Sequence, residues 1–215
     1  PVVAFGGSSP ISQFGRQVFQ EIDQFEMLRG ACKAVDRVYN IKRIPQQVAF
    51  ALQRAMSGKP GPVYVDMPGD VLYQKIDESQ IDWSPCERPM MESRSMGDPN
   101  QVAELVKALA AAKKPLIVSG SGVIWSRAWG EMQAFVEAAG IPFYTTPQGR
   151  GVVPDDHPYS YLTMRNSAFA DSDLIIVLGT RMNYIIGHAA PPRFGGNAKI
   201  ARIDVDATEI ATAAR

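Results

Sequence analysis

The chain has 215 residues, 46% hydrophobic and 20% charged, enough for one large α/β domain or parts of two and too apolar for a disordered segment. Its 22 basic and 22 acidic residues cancel, so no global field invites nucleic acid or an anionic membrane. No apolar run approaches the ~20 residues of a membrane span, and Cys32 and Cys86 stand far apart, as expected of reduced thiols in a cytoplasmic protein.

Pro1-Val2-Val3-Ala4-Phe5 predicts a short buried strand, followed by a turn at Gly6-Gly7-Ser8-Ser9. Pro45 opens a helix in which Val48, Ala51, Leu52 and Ala55 form one apolar stripe, stopped by Gly58-Lys59-Pro60-Gly61-Pro62. Val63-Tyr64-Val65 is the next strand, closed by Pro68-Gly69. Residues 1–78 thus read as one α/β block. Residues 79–98 carry Trp83, Pro85, Pro89, Met90, Met91 and Met96 without periodicity, which predicts a linker.

The block 99–215 alternates cleanly. Asp98 caps a helix with Pro99 at its first position and Val102, Leu105, Val106 and Leu109 as its buried stripe. Strand 115–118 runs into Gly120-Ser121-Gly122, a second helix covers 126–139 and stops at Gly140, and strand 142–146 follows. A short helix over 163–170, a strand over 173–179 and a last strand over 199–204 complete the block. Continuous apolar strands alternating with helices predict a Rossmann-like, doubly wound parallel sheet, preceded by part of a second α/β domain. The opening strand and the helix starting at Thr208 read as interior to larger domains, so the chain is expected to be a fragment.

Three places lie at strand ends of this sheet, where such folds take ligands. Gly120-Ser121-Gly122 is either a tight turn or a backbone cradle for phosphate. Arg181, after Gly179-Thr180, is either a surface charge or a partner for phosphate or adenine. Asp204, followed by Val205, either caps a helix or accepts ribose hydroxyls. Together they favour a nucleotide. His157 and His188 lack partners at metal-ligand spacing, so no metal site is expected within the chain, and His157 reads as a turn residue.

Gly61-Pro62-Val63-Tyr64-Val65-Asp66-Met67-Pro68-Gly69-Asp70-Val71 resembles the segment that ends the pyrimidine-binding domain of thiamine-diphosphate (ThDP) enzymes. Gly6-Gly7-Ser8-Ser9 and Val18-Phe19-Gln20-Glu21 fall where that superfamily has a glycine-rich loop and an FQE-type segment. Residues 147–158, Gly179-Thr180-Arg181-Met182-Asn183-Tyr184 and Pro191-Pro192-Arg193-Phe194 resemble stretches of 2-hydroxyacyl-CoA lyases and oxalyl-CoA decarboxylases. The resemblance spans almost the whole chain. It implies that residues 1–78 are the end of a pyrimidine-binding domain and 99–215 a central domain.

The resemblance implies a parent enzyme that is a ThDP- and Mg2+-dependent lyase acting beside the carbonyl of a 2-hydroxyacyl-CoA. By position, Gln20 and Phe19 face the reactive carbon of ThDP across a dimer interface. Gly120, Ser121, Gly122, Arg181, Asp204 and Val205 hold the ADP part of CoA. The activating glutamate and the Mg2+ ligands are expected outside the chain, leaving the chain alone inactive. Acetohydroxyacid synthases carry R-F-D-D-R where this chain has Arg181-Met182-Asn183-Tyr184-Ile185, which argues against FAD and against acetolactate synthesis. Ser121 departs from the CoA enzymes' usual Gly-Lys-Gly and removes one phosphate partner. An acyl-CoA substrate and a homodimer or homotetramer complete the expectation.

Overall fold

Every strand pairing among the described residues is parallel, and parallel strands need a crossover, so helices must separate them in sequence. The structure, a computed structural model, describes residues 1–88 and 94–211. The chain divides into two compact units, Pro1–Ser93 and Arg94–Arg215, each with its own sheet.

In the first unit the elements are β1 (Val2–Ser8), α1 (Gln24–Arg29), β2 (Ala34–Arg37), α2 (Ile44–Met56), β3 (Pro62–Pro68), α3 (Gly69–Leu72) and α4 (Ser84–Glu87). The strand order is β1-β3-β2, so β3 is central and buries Val63 and Val65 completely. Strand β1 corrects two expectations. It is an edge strand rather than a buried one, with Val2 and Phe5 61% and 52% exposed, because only β3 pairs with it. It also runs on through Gly6 and Gly7 to Ser8 instead of turning. Gly6 is there for close approach, since a Cβ would collide with the Tyr64 ring.

Helix α2 begins at Ile44 with Pro45 in its first turn, where the missing N–H costs nothing. Ala51 and Ala55 are buried as predicted, whereas Leu52 is exposed. The stripe is narrower than the periodicity suggested. The predicted linker contains α4 and a 3-10 turn at Glu78–Gln80, while its residues 89–93 lie outside the described residues.

The second unit contains α5 (Pro99–Ala111), β4 (Pro115–Ser119), α6 (Ser121–Trp125), α7 (Trp129–Ala139), β5 (Phe143–Thr145), α8 (Arg165–Asp171), β6 (Leu174–Leu178), β7 (Lys199–Ile203) and α9 (Ala207–Ala211). Asp98 caps α5 by accepting from Asn100 N at 2.8 Å. The stripe of α5 that packs on the core is Leu105, Ala108 and Leu109, partly buried and continued by Ala112 just past the helix; Val102 and Val106 point to water, 51% and 59% exposed, contrary to expectation. The helix expected over 126–139 starts later, as α7 from Trp129, and a separate short helix α6 precedes it across a break with Arg127 at φ 52°; α7 ends on Gly140 in the left-handed region at φ 62°.

The sheet order is β5-β4-β6-β7. One face packs Ile117, Phe143 and Ile176 against Met132 and Val136 of α7 and the stripe of α5. The other packs Leu116, Val118, Ile175 and Val177 against Phe169 of α8, Ile186 and Phe194. Helices on both faces make the unit doubly wound, as the sequence predicted. The strand order reverses between β4 and β6, because β4 leads outward to β5 and β6 outward to β7.

Asp173 ties the amino ends of these strands. Its carboxylate accepts from Lys113 N at 2.7 Å and Lys114 N at 3.0 Å, and those two N–H groups hold it below its ordinary value of 3.8. A depressed folded-state value means the stabilisation is present above the ordinary carboxylate range and disappears as pH falls through it. Asp173→Asn is expected to lower Tm near neutral pH. Thermal melts of the two proteins should converge only once the pH has fallen below the depressed folded-state value, under the ordinary carboxylate range; a gap that persists in strong acid would rule out the charge as its source.

Candidate functional site

In open parallel sheets, ligands bind outside the carboxyl ends of the strands where the strand order reverses. In the second unit that place lies between the ends of β4 and β6; two of the sequence candidates flank it and the third lies one strand further along the same edge. Gly120, Ser121 and Gly122 follow β4, Arg181 follows β6 by way of Gly179, and Asp204 and Val205 follow β7.

The glycines at this rim are explained first by packing. A Cβ on Gly122 would stand 2.5 Å from Gly179 Cα, and one on Gly149 2.7 Å from Ser119 O. Gly120 N donates to Leu178 O and Gly122 N to Gly179 O, both at 2.9 Å. Two of the three N–H groups read as a phosphate cradle are therefore engaged within the sheet. Arg181 Nε donates to Glu209 Oε1 at 2.9 Å, while its side chain stays 63% exposed. A phosphate would compete for the guanidinium with Glu209, whose side chain is only 14% exposed. Asp204 Oδ1 accepts from Asp206 N at 3.0 Å, and Val205 is exposed beside it. The residues fit the anionic and ribose parts of a nucleotide through Arg181 and Asp204 more than through the Gly-Ser-Gly turn.

In the first unit, Phe19 and Gln20 lie between the carboxyl end of β1 and the start of α1. Phe19 is 87% exposed, and Gln20 stands in the left-handed region at φ 63°. A large aromatic left in water next to a strained non-glycine residue marks a surface shaped to meet something. The turn is held from within: Glu21 accepts from Gly15 N and, at 3.1 Å, from Val18 N, and these hydrogen bonds lower its carboxyl from the ordinary 4.5. Gln24 Nε2 donates to Gly7 O at 3.0 Å. Among the described residues no group of three His, Cys, Asp or Glu could hold a metal ion.

Sequence reasoning missed a buried polar cluster under this turn. Asp66 of β3 is completely buried and accepts from Ser8 Oγ at 3.0 Å, Tyr64 Oη at 3.4 Å and Arg37 Nε. The single O–H of Tyr64 is shared between that carboxylate and Gln24 Oε1, and burial, then the charge of Asp66, pushes its phenol up to about 12. The Arg37 guanidinium lies 4.7 Å from the centroids of both Phe14 and Phe25. The available signal was a charge set in each of two short apolar stretches, Arg37 within 34–38 and Asp66 within 62–68. His157 is a turn residue as expected, its Nδ1 accepting from Tyr159 N at 3.2 Å.

Fold and rim together define a doubly wound α/β module of the kind that presents ligands at a carboxyl edge. Comparison with known proteins narrows the class. Residues 102–215 match the family model described as thiamine pyrophosphate enzyme, central domain, and the chain belongs to that family. It is 37% identical over 213 residues to a 2-hydroxyacyl-CoA lyase of Arabidopsis thaliana, covering 98% of this chain and 37% of the relative. It is 33% identical over 210 residues to 2-hydroxyacyl-CoA lyase 1 of Mus musculus, covering 98% of this chain and 36% of the relative. The chain thus spans little more than a third of the length of these curated relatives. A solved structure, the thiamine diphosphate-dependent 4-hydroxybenzoylformate decarboxylase of Rhodococcus jostii RHA1, shares the fold with a TM-score of 0.80. It is 22% identical, and the match covers 100% of this chain and 42% of that one.

Proposed function

We propose that the whole protein containing this chain is a ThDP- and Mg2+-dependent 2-hydroxyacyl-CoA lyase. The observation that carries this reading is the outward-facing Phe19–Gln20 pair at the carboxyl rim of the first unit's sheet, in a chain of the ThDP family whose relatives include lyases of that name. When bound, ThDP supplies the electron sink needed to break or form the bond beside a carbonyl. Gln20 Nε2 donates a hydrogen bond to the oxygen on which charge develops and adds no charge of its own. Phe19 shields that oxygen from water. Arg181, Asp204 and Val205 hold the nucleotide end of the acyl-CoA, with Mg2+ ligands contributed from outside this chain.

Assay of the whole enzyme against a panel of 2-hydroxyacyl-CoAs and free 2-oxoacids tests the reading. Turnover confined to free 2-oxoacids would replace the lyase by a decarboxylase or an acetolactate-type carboligase. For the nucleotide end, Arg181→Ala is expected to weaken ADP or CoA binding by about 1.5–3 kcal/mol, the range of a charge-assisted hydrogen bond. Calorimetric titration measures it, and an unchanged Kd would leave Arg181 a surface charge paired with Glu209.

A further inference from the structure

We propose that Arg37 is a positioning residue: its guanidinium clips together the two ends of the segment that carries Phe19 and Gln20. The bearing of this clip on catalysis rests on the reading of Gln20 given above; its mechanical part does not.

Phe14 precedes that pair in sequence and Phe25 follows it, and the Arg37 guanidinium lies 4.7 Å from the centroid of each ring. A planar cation at that distance from an aromatic ring is held by the ring's quadrupole, and two rings on one cation close a loop between them. The cation is itself fixed. Arg37 ends β2, its side chain is 17% exposed, and its Nε donates to the fully buried carboxylate of Asp66 on central β3. Ser8 and Tyr64 also donate to that carboxylate, which ties it to β1 as well.

The loop is thus anchored to all three strands of the sheet through one carboxylate and one guanidinium. Between the two rings the backbone takes the left-handed region at Gln17, φ 58°, and at Gln20, φ 63°. Such conformations persist only where the surroundings impose them. Glu21 ties the middle of the segment to itself, and Gln24 ties its end to Gly7. Ahead of Phe14, Ser12 N donates to Asp70 at 3.3 Å, a tie to α3 rather than to the sheet. At Phe14 itself the tie to the sheet is Arg37.

The test uses the whole holoenzyme. Amide hydrogen exchange is followed over 14–25, with α2 as the internal reference, in parallel with steady-state kinetics. Arg37→Met is expected to speed exchange over 14–25 by at least about tenfold while α2 stays protected. It should also lower kcat with KM held within about twofold. Arg37→Lys keeps the ion pair but not the planar stacking, and should recover protection and kcat only in part. Because Arg37→Met strands a buried carboxylate, the double variant Phe14→Leu/Phe25→Leu removes the rings and leaves the pair intact; the same loosening is expected of it.

Unchanged protection over 14–25 in the folded double variant would overturn the clip, whatever the kinetics. Faster exchange with an unchanged kcat would overturn the positioning role. In that case a Gln20→Ala enzyme of wild-type kcat would show that the reading of Gln20 had failed and the mechanical clip had not.

Discussion

Gln20→Ala in the whole enzyme is expected to lower kcat by on the order of 10²-fold while KM moves far less. An amide donor that meets an oxygen only as charge builds on it stabilises the transition state more than the bound substrate, so its loss falls on kcat. Gln20 stands in a left-handed turn beyond the carboxyl end of β1, with Phe19 exposed beside it. Affinity for ThDP should hardly change, since the amide has no part in holding a diphosphate. Gln20→Glu should be at least as harmful, because a carboxylate beside developing negative charge opposes it. Steady-state kinetics with calorimetric ThDP binding reads all of these. If both variants kept wild-type kcat and merely melted lower, Gln20 would be a structural amide.

The second large effect concerns stability. Phe169→Ala is expected to cost about 3–5 kcal/mol, the usual range for emptying a buried aromatic site. Phe169 is fully buried, stacks on Phe194 at a centroid distance of 4.5 Å and meets Tyr144 edge-on at 5.4 Å. Its removal leaves a cavity between α8 and the sheet that neither ring can fill without leaving its own position. Val106→Ala, on the exposed side of α5, should fall within about 0.5 kcal/mol of wild type. Denaturant unfolding of the two variants makes the comparison; equal losses would mean that the stripe of α5 is misassigned.

The second unit was largely legible in the sequence, because its strands are short continuous apolar runs bounded by Pro, Gly and Asp. The details that failed did so for identifiable reasons. Val102 and Val106 fit a helical period, yet the period is shared by more than one stripe, and the sheet selects Leu105, Ala108, Leu109 and Ala112. The break at Arg127 depends on a single positive φ that no glycine announces. Strand β2 is four residues with two charges, and only the folded sheet shows that Arg37 is paired to a carboxylate from β3. For the candidate site, the strand ends were legible from the apolar runs, but the Gly-Ser-Gly segment could not be separated from a phosphate cradle, because its contact, Gly179, is remote in sequence. The pair Phe19–Gln20 came from family resemblance rather than from any pattern in the residues.

The glycine contacts at the second unit's rim bear on how such a module changes its ligand over time. Gly120, Gly122, Gly149 and Gly179 meet backbone to backbone, so any side chain there displaces main chain and is selected against whatever the enzyme binds. Ser121, between two of them, and Arg181, just beyond another, face no such exclusion. Variation is thereby channelled. A lineage can exchange a hydroxyl for a cation at position 121, or redirect the guanidinium at 181, while the loops that carry these positions keep their spacing. A substitution at either position then changes the charge of the rim without moving the main chain that forms it.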